Sequence, residues 1–318
     1  RCIERFSQSI NYSTMWEQNS YITANTYNFL NIFAFYFEMK MRKSLYVFVL
    51  FLCFGTSSVH AQFHTAKSRS ELGFLIGGAS YIGDLNPFEP WREINLAGGL
   101  VYRYNVHSRL TLRTNFTYGR LAGDDSKSKE NLTKERNLSF ETNIWEFAFG
   151  LEFNYFPFQL GHDRFKGTAY ILTELGLFRM NPKAITDGGT EVELQPLGTE
   201  GQGSSLSSKG NYSLNQLCLP IGVGAKISLG DKASINFEIG LRKTFTDYID
   251  DVGSSSYVDP VALASENGPL AAELSNRSFS GSRYGRRGNA TTKDWYIFSG
   301  MMITFRLGKP SKCMPWED

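Results

Sequence analysis

The sequence predicts an all-β protein, a transmembrane up-and-down antiparallel β-barrel of about eight strands with short periplasmic turns and long external loops. Three observations predict this fold. Apolar and polar residues alternate over segments longer than most strands of soluble sheets. One parity of these segments carries bulky apolar side chains, while the other carries glycine and charge. The connections between the segments are alternately short and very long.

The most regular segment spans residues 144–156. Its apolar parity consists of Trp145, Phe147, Phe149, Leu151, Phe153 and Tyr155. Its other parity consists of Glu146, Ala148, Gly150, Glu152 and Asn154. A tilted strand needs about nine to eleven residues to cross a bilayer, so we predict that the apolar face meets lipid. The alternative, a soluble calycin-like barrel with inside and outside exchanged, would expose the aromatic residues to water.

Seven further segments complete the predicted barrel. Five alternate clearly, at residues 94–104, 110–118, 215–229, 235–241 and 295–307. Residues 71–83 and 168–180 are strand-like, but their apolar parity is ambiguous. Because an open sheet edge in hydrocarbon would leave backbone N–H and C=O groups unpaired, the strands are expected to close into a barrel.

The connections indicate which end of the barrel is which. Residues 105–108, 157–167 and 230–233 form fairly short connections, and these alternate with long ones at 84–93, 122–137, 181–214 and 250–293. Outer-membrane barrels have short periplasmic turns and long external loops. We therefore expect both termini in the periplasm and every long loop outside.

An eight-stranded barrel has an interior just wide enough to be filled by side chains. Charged residues on the predicted inward parity are Glu146, Glu152, Lys226, Glu238, Arg242, Arg306, Arg103 and Arg113. Opposite charges in this space should pair, because an isolated buried charge is costly. A wide diffusion pore is therefore not expected.

The chain is expected to comprise three parts. Residues 1–38 show no regular pattern and are interpreted as an upstream extension outside the mature protein, the alternative being a genuine N-terminal extension. Residues 39–61 resemble a Sec signal peptide, with basic residues, a short apolar run and a small-residue exit at Ala61. Residues 62–318 are assigned to the barrel. The net charge of +2 argues against a nucleic-acid partner.

The sequence gives no support for catalysis, a cofactor or a metal. The histidines, common catalytic bases, are His60, His64, His107 and His162. None lies in a predicted external loop, so we expect no enzyme. Cys218 and Cys313 are predicted to lie at levels too far apart for a disulfide, and therefore to be free.

Two charged clusters fall in the predicted external loops. Asp247, Asp250 and Asp251 could bind a divalent cation, but they lack calcium-loop spacing and are interpreted as solvated rim charges. The longest loop contains Arg277, Arg283, Arg286 and Arg287. These arginines could contact surface polysaccharide or lipid phosphates, although a mobile basic loop is the favoured interpretation.

Four stretches carry a family resemblance. They are ELGFLIGGASYIGDLNP from Glu71, RNLSFETNIWEF from Arg136, LQPLGTEGQG from Leu194 and RKTFTDYIDDV from Arg242. Together they resemble the PorG-like outer-membrane proteins of Bacteroidetes, components of the type IX secretion apparatus, over residues 71–307. TEGQG and TFTDYIDDV are the most specific parts of the resemblance. The family-motif residues at the predicted rim are Gly83, Asp84, Asn86, Pro87, Thr199, Glu200, Gly201, Thr246, Asp247, Tyr248, Asp250 and Asp251.

The resemblance implies a non-enzymatic protein that anchors a periplasmic ring complex to the outer membrane. Its implied partners are the ring lipoprotein, other type IX secretion subunits and outer-membrane lipid, and cargo secretion, with gliding motility in some relatives, depends on the apparatus. Predicted periplasmic contact residues are Phe158, His162, Arg164, Phe165 and Trp316. The alternatives are a small adhesion or surface-protection barrel and a narrow channel, both unrelated to secretion.

Overall fold

Antiparallel strands close into a barrel in the computed structural model of the protein, which describes residues 69–87, 89–160, 166–254, 256–280 and 286–308. The strands are β1 (Ser70–Ile82), β2 (Asn95–Asn105), β3 (Leu110–Asp124), β4 (Ser139–Asn154), β5 (Gly167–Arg179), β6 (Lys183–Ile185), β7 (Glu191–Glu193), β8 (Asn215–Ser228), β9 (Ala233–Thr244) and β10 (Trp295–Leu307). β6 and β7 form a small hairpin, and the other strands form the wall of the barrel. The pairing of β1 with both β2 and β10 closes it, as predicted.

The long connections contain ordered structure. A 3-10 turn covers Asp125–Lys127, and four short helices follow, α1 (Asn131–Arg136), α2 (Leu194–Leu197), α3 (Pro260–Glu266) and α4 (Pro269–Ser275). Asp259 begins α3 by accepting hydrogen bonds from two backbone N–H groups of its first turn. None of the helices in the described residues is long and apolar enough to cross a membrane.

The predicted inward and outward faces are confirmed. On β4, Phe147 is 54% exposed, whereas its neighbour Glu146 is completely buried. The same alternation runs along β8 and β9. This barrel is apolar outside and charged inside, which is the polarity of a membrane-spanning barrel and excludes the calycin-like alternative.

The two strands of ambiguous parity have apolar residues on both faces. On β5, Tyr170, Leu172 and Phe178 point inward and are buried, while every second residue, Ile171 and Leu175 among them, is exposed. On β1, Ala79 and Tyr81 are also inward and buried. Alternation of hydrophobicity therefore could not identify their lumen faces.

An apolar core fills the lumen at the end where the long connections lie. Its aromatic rings pack edge to face, with centroids 4.8 Å apart for Tyr81 and Phe140 and 5.4 Å apart for Phe178 and Tyr296. Phe298 adds a third contact, 5.5 Å from Tyr296. The sequence predicted a charged lumen, and this upper apolar layer is an addition to it.

Below this core, the predicted charge pairing is confirmed. Glu152 accepts from Arg103 Nε at 2.8 Å and from Lys226 Nζ at 2.5 Å. Arg113 donates through both terminal nitrogens to Glu238, at 2.5 and 2.8 Å. Because these groups are buried, their mutual pairing compensates for lost hydration.

Two further carboxylates extend the lumen network. Glu146 accepts from Arg242 at 3.3 Å and from Tyr296 Oη at 2.7 Å. Glu174, which the sequence reasoning omitted, accepts from Asn115 Nδ2 at 2.7 Å. The predicted free Cys218 is buried beside Tyr296, and Cys313 lies outside the described residues.

The end of the barrel with the short turns is also covered. Phe158 is buried, its N–H donates to Ser108 O at 2.9 Å, and its ring lies 4.8 Å from Lys226 Nζ. Its side chain therefore closes the lumen. It offers almost no surface to a partner, in contrast to the contact role predicted for it.

We predict that Glu152→Gln destabilises the barrel by about 3–5 kcal/mol, because it removes the negative charge shared by buried cations. Unfolding in urea, followed by the electrophoretic shift of the folded barrel, measures the effect. The matched control on β4 is Glu141→Gln, which removes an exposed pair with Arg120 and should cost less than about 1 kcal/mol. Equal effects of the two substitutions would contradict the assigned role of the lumen network.

Candidate functional site beneath the long loops

The long connections fold together over one end of the barrel. We call their described residues within 83–94, 125–138, 180–214 and 245–294 the cap. All the rim residues singled out in the sequence lie in it, although they come from three distant segments. The structure brings the second and third of these segments into direct contact and links the first to them through Arg136.

The first rim segment is a tight turn at the mouth of the barrel. Gly83 and Asn86 exchange backbone hydrogen bonds of 3.4 and 3.0 Å, and Asn86 Nδ2 donates to Tyr81 O at 3.2 Å. A Cβ atom on Gly83 would lie 2.0 Å from Tyr81 Oη, so only glycine fits there. The turn places Leu85 in the core and leaves Pro87 exposed.

Arg287 joins the second and third rim segments. Its Nη1 donates to Glu200 Oε1 at 2.6 Å and to Asp251 O at 3.1 Å, and its Nη2 donates to Thr199 Oγ1 at 3.1 Å. Its Nε reaches Ser275 O, at the end of α4, at 3.2 Å. One buried guanidinium therefore fixes three parts of the cap.

Glu200 and Asp251 accept further hydrogen bonds within the same cluster. Glu200 Oε1 accepts from Gly253 N at 3.1 Å and Ser254 N at 2.9 Å. Asp251 accepts from Thr199 Oγ1 and from Tyr212 Oη at 2.7 Å. Asp251 has a φ of 65°, a left-handed conformation that Asp tolerates better than most residues.

Arg136 connects the first segment to this cluster. Its Nη2 donates to Asp84 O at 2.9 Å, and its Nη1 donates to Arg287 O at 2.6 Å. Arg136 also donates two hydrogen bonds, each 2.7 Å long, to the carboxylate of Asp125. The Asp84 carboxylate accepts from Asn289 N at 3.0 Å.

Two carboxylates meet one tyrosine hydroxyl where the cap touches the barrel core. Tyr81 Oη lies 2.5 Å from Asp250 Oδ2 and 3.0 Å from Asp294 Oδ1. Each carboxylate also accepts a hydrogen bond from a backbone N–H group. Val252 N donates to Asp250 and Ile249 N donates to Asp294, both at 2.9 Å. The hydroxyl has one hydrogen to donate, so satisfying both contacts requires a proton on one carboxyl.

Several aspartates of the cap have pKa values raised above the ordinary aspartate value. Burial raises the pKa of Asp247 to about 6 and that of Asp251 to about 6. Burial raises the pKa values of Asp250 and Asp294 well above the ordinary range, and neighbouring carboxylates raise them further. Burial also raises the pKa of Asp84. The folded cap therefore retains protons that an unfolded chain would release.

The interpretation of Asp247, Asp250 and Asp251 as solvated charges was wrong, since they are 4, 2 and 1% exposed. Their oxygens accept from tyrosine, threonine, lysine and backbone donors, which explains how they can be buried. Among the described residues, no group of three or more His, Cys, Asp and Glu side chains is arranged to hold a metal ion.

The prediction that the arginines of the longest loop are mobile was also wrong for two of them. Arg287 is buried, and Arg277 pairs with Asp187 at 3.0 Å. Arg286 is exposed, and Arg283 lies outside the described residues. Of the predicted periplasmic contacts, His162, Arg164, Phe165 and Trp316 lie outside them too.

Sequence reasoning missed the partners of the rim motifs. Tyr81 lies on a strand of ambiguous parity, and Asp294 immediately precedes β10. Arg136 begins one of the stretches used for the resemblance, but only the fold shows that it reaches Asp84. The available signal in the sequence was the concentration of acids in the long connections. If those connections fold, buried acids need basic partners.

Comparisons with known proteins give a family match and a fold likeness. The model of a family described as "Domain of unknown function (DUF6089)" matches residues 43–198. No curated protein matches the chain.

Solved outer-membrane proteins have a similar fold. Neisserial surface protein A (NspA) is 10% identical, with a TM-score of 0.38, 76% of this chain covered and 99% of that chain. Ail of Yersinia pestis, in complex with sucrose octasulfate, is 10% identical, with a TM-score of 0.36 and coverages of 76% and 98%. A major outer membrane protein from Thermus thermophilus is 11% identical, with a TM-score of 0.36 and coverages of 75% and 99%. The fold assignment of this chain depends on its own strand pairing.

We predict that Arg287→Met loosens the cap while leaving the barrel closed, because Glu200 loses its buried positive partner. Amide hydrogen exchange should accelerate by at least about tenfold at residues 198–202 and 250–254, which corresponds to about 1.4 kcal/mol of local stability. The matched control is the exposed neighbour in Arg286→Met. Unchanged exchange in the Arg287 variant would contradict the assigned role.

We predict that the cap becomes less stable as pH rises. The aspartates whose pKa values are given above have them raised over the ordinary value of about 3.9, so the folded form binds more protons than the unfolded form between that value and the folded pKa values. Proteolysis in the cap should therefore be faster at pH 8 than at pH 5.5.

Asp294→Asn should weaken this pH dependence and protect the cap at pH 8. The amide can accept from Ile249 N and donate to Tyr81 Oη, replacing the proton that the carboxyl needs. Asp231→Asn, in an exposed short turn, is the matched control. An unaltered pH dependence in the Asp294 variant would show that this carboxyl does not control the cap.

Proposed function

We propose that the protein is a non-enzymatic outer-membrane component whose barrel serves as a rigid anchor, not as a pore. The observation that carries this proposal is the filled lumen. Glu152, Glu238 and their cationic partners occupy its middle, the aromatic core lies above them, and Phe158 closes the opposite end. Moving an ion through would require breaking several buried pairs, which is costly.

The specific role that we propose is in type IX protein secretion, where the barrel would hold a periplasmic ring complex to the outer membrane. Support comes from the resemblance of the rim motifs to PorG-like proteins. In the structure these motif residues form buried contacts within the cap, as Thr199 does with Asp251 and Glu200 with Arg287. Their specificity is thus explained by the folding of the cap, without a partner at that end.

The ring would then bind at the opposite end of the barrel. The proposed partners are the ring lipoprotein and other type IX secretion subunits, with outer-membrane lipid around the barrel and no nucleic acid. His162, Arg164, Phe165 and Trp316 remain the proposed contact residues, and Phe158 supports the turn from within. This arrangement requires periplasmic termini, which is part of the proposal.

A second candidate is a surface-binding barrel that acts through the cap. The observation in its favour is that the cap exposes large apolar side chains, including Val261 at 79% and Phe279 at 76%. Apolar side chains this exposed on a folded surface are available to a protein partner. In that case the cap, and not the short turns, would meet the partner.

Capture of the tagged barrel from crosslinked, detergent-solubilised outer membranes tests the first proposal. We predict recovery of a periplasmic ring lipoprotein, with at least about a tenfold loss in an Arg164→Ala, Phe165→Ala variant because interface arginines and aromatics contribute most binding energy. Lys134→Ala, exposed on the cap, should leave recovery unchanged. A barrel recovered alone, with normal cargo secretion in its absence, would contradict the proposal.

The same strains distinguish the second candidate. Val261→Ser with Phe279→Ser should leave the ring complex and cargo secretion intact if the barrel is an anchor. Loss of cell-surface adhesion in this variant, with secretion unaffected by removal of the whole protein, would favour the surface-binding role. Single-channel conductance above the lipid background in the wild-type barrel would refute the filled lumen on which the anchor proposal depends.

A further inference from the structure

A cleft of about 420 Å³ lies on the outer side of the barrel at the long-loop end. Its floor is the projecting part of the β3–β4 hairpin, and its walls are the segment before β2 and the β6–β7 hairpin. The volume is within the range of ligand sites in proteins, about 300–1,000 Å³. Of its lining residues, only Phe140 takes part in the contacts of the cap and the lumen described above.

The cleft lies just above an aromatic girdle. Tyr118 and Trp145 are paired across β3 and β4, face outward, and have ring centroids 4.6 Å apart. Such rings mark the interface between hydrocarbon and polar head groups. Continuing along β4 from Trp145, the outward positions are Asn143 and then Glu141, which lines the cleft.

The height of the cleft above the girdle selects the kind of lipid. Glu141 is four residues from Trp145, which is about 13 Å along the strand and about 10 Å along the membrane normal after tilting. The head-group region of an ordinary bilayer adds only about 5–7 Å per leaflet to the hydrocarbon core. A phospholipid head is therefore too short to fill the cleft, whereas a saccharide head reaches it.

The lining suits hydroxyl groups better than phosphate. Its charged residues are Arg92, Lys127, Lys183, Glu93, Asp124, Glu141 and Glu191, with one more acid than base. Two walls are fixed by ion pairs, Lys127 with Glu93 at 2.9 Å and Lys183 with Glu191 at 3.1 Å. Sugar hydroxyls both donate and accept, and so can use carboxylates and ammonium groups together, whereas a phosphate oxygen can use only the donors and leaves the carboxylates without a partner.

Apolar side chains beside the cleft indicate an amphiphile and not a free sugar. Ile94 and Ile185 border the polar floor on opposite sides, and both are more than half exposed. Leu96, next along β2 from Ile94 on the same face, is 74% exposed. Exposure of these apolar side chains to water is unfavourable, and acyl chains or a glycerol backbone below a bound saccharide would cover them.

We propose that this cleft binds the saccharide head group of a membrane glycolipid in the leaflet at the long-loop end. The glycolipid would seat its sugars between the segment before β2 and the β6–β7 hairpin, with its chains against the apolar face below Trp145. The proposal is independent of the role in secretion, because it concerns the opposite end of the barrel from the proposed ring contact.

Native mass spectrometry of the barrel in detergent, with added lipids, tests the proposal. The probes are diglucosyl diacylglycerol, phosphatidylglycerol and free maltose. We expect diglucosyl diacylglycerol to be retained at least about tenfold better than either of the others, a difference of about 1.4 kcal/mol. Equal retention of phosphatidylglycerol would overturn saccharide recognition, and equal binding of maltose would overturn the requirement for a lipid.

A pair of matched double variants locates the site. Glu141→Ala with Lys183→Ala removes one acid and one base from the cleft, and retention of diglucosyl diacylglycerol should fall by about tenfold. Asp231→Ala with Lys232→Ala makes the same charge change in an exposed short turn and should have no effect. Both pairs lie at exposed or half-exposed positions, so the barrel should stay folded, which its electrophoretic shift verifies. Equal retention by the two variants would overturn the assignment of the cleft.

Discussion

Backbone hydrogen bonding in an apolar solvent is the constraint from which the rest of this structure follows. A strand that faces lipid on one side cannot satisfy its N–H and C=O groups with water. Each strand of the sheet therefore needs two neighbours, and β1 must pair with β10. Closure with this number of strands makes the lumen narrow. A narrow lumen in turn forces the charged inward parity into direct contact, as the pairs of Glu152 with Arg103 and Lys226 show.

The cap also buries charged groups by pairing them, but its groups come from the long connections. Long connections carry many backbone groups and acids, and here they fold into a layer fixed by two buried guanidinium groups, Arg136 and Arg287. The acids are not all neutralised by bases, however. Around Tyr81, two carboxylates share one hydroxyl, so the layer depends on bound protons as well as on ion pairs. Stability of the cap is thereby linked to pH.

The two ends and the side of the barrel provide separate surfaces. The buried use of the rim motifs explains why GDLNP, TEGQG and TFTDYIDDV need particular residues without assigning them to a binding event. The surfaces left for recognition are the short turns, the exposed apolar residues of the cap and the lateral cleft above Trp145. The short turns lie at the opposite end of the barrel from the cap and the cleft, so binding at the short turns does not require the other two surfaces.

The sequence by itself determined the barrel, its outward face and the charge pairing, because period-two alternation and the unequal connections are local patterns. It was insufficient at β1 and β5, where Tyr81 and Phe178 put apolar groups inside. Only the tertiary structure decided the fate of the long connections. Asp251 and Arg287 are charged residues in loops and were expected in solvent, but they are buried because each finds partners from segments distant in the chain. Such partners are set by the folding of the cap, which no local pattern encodes.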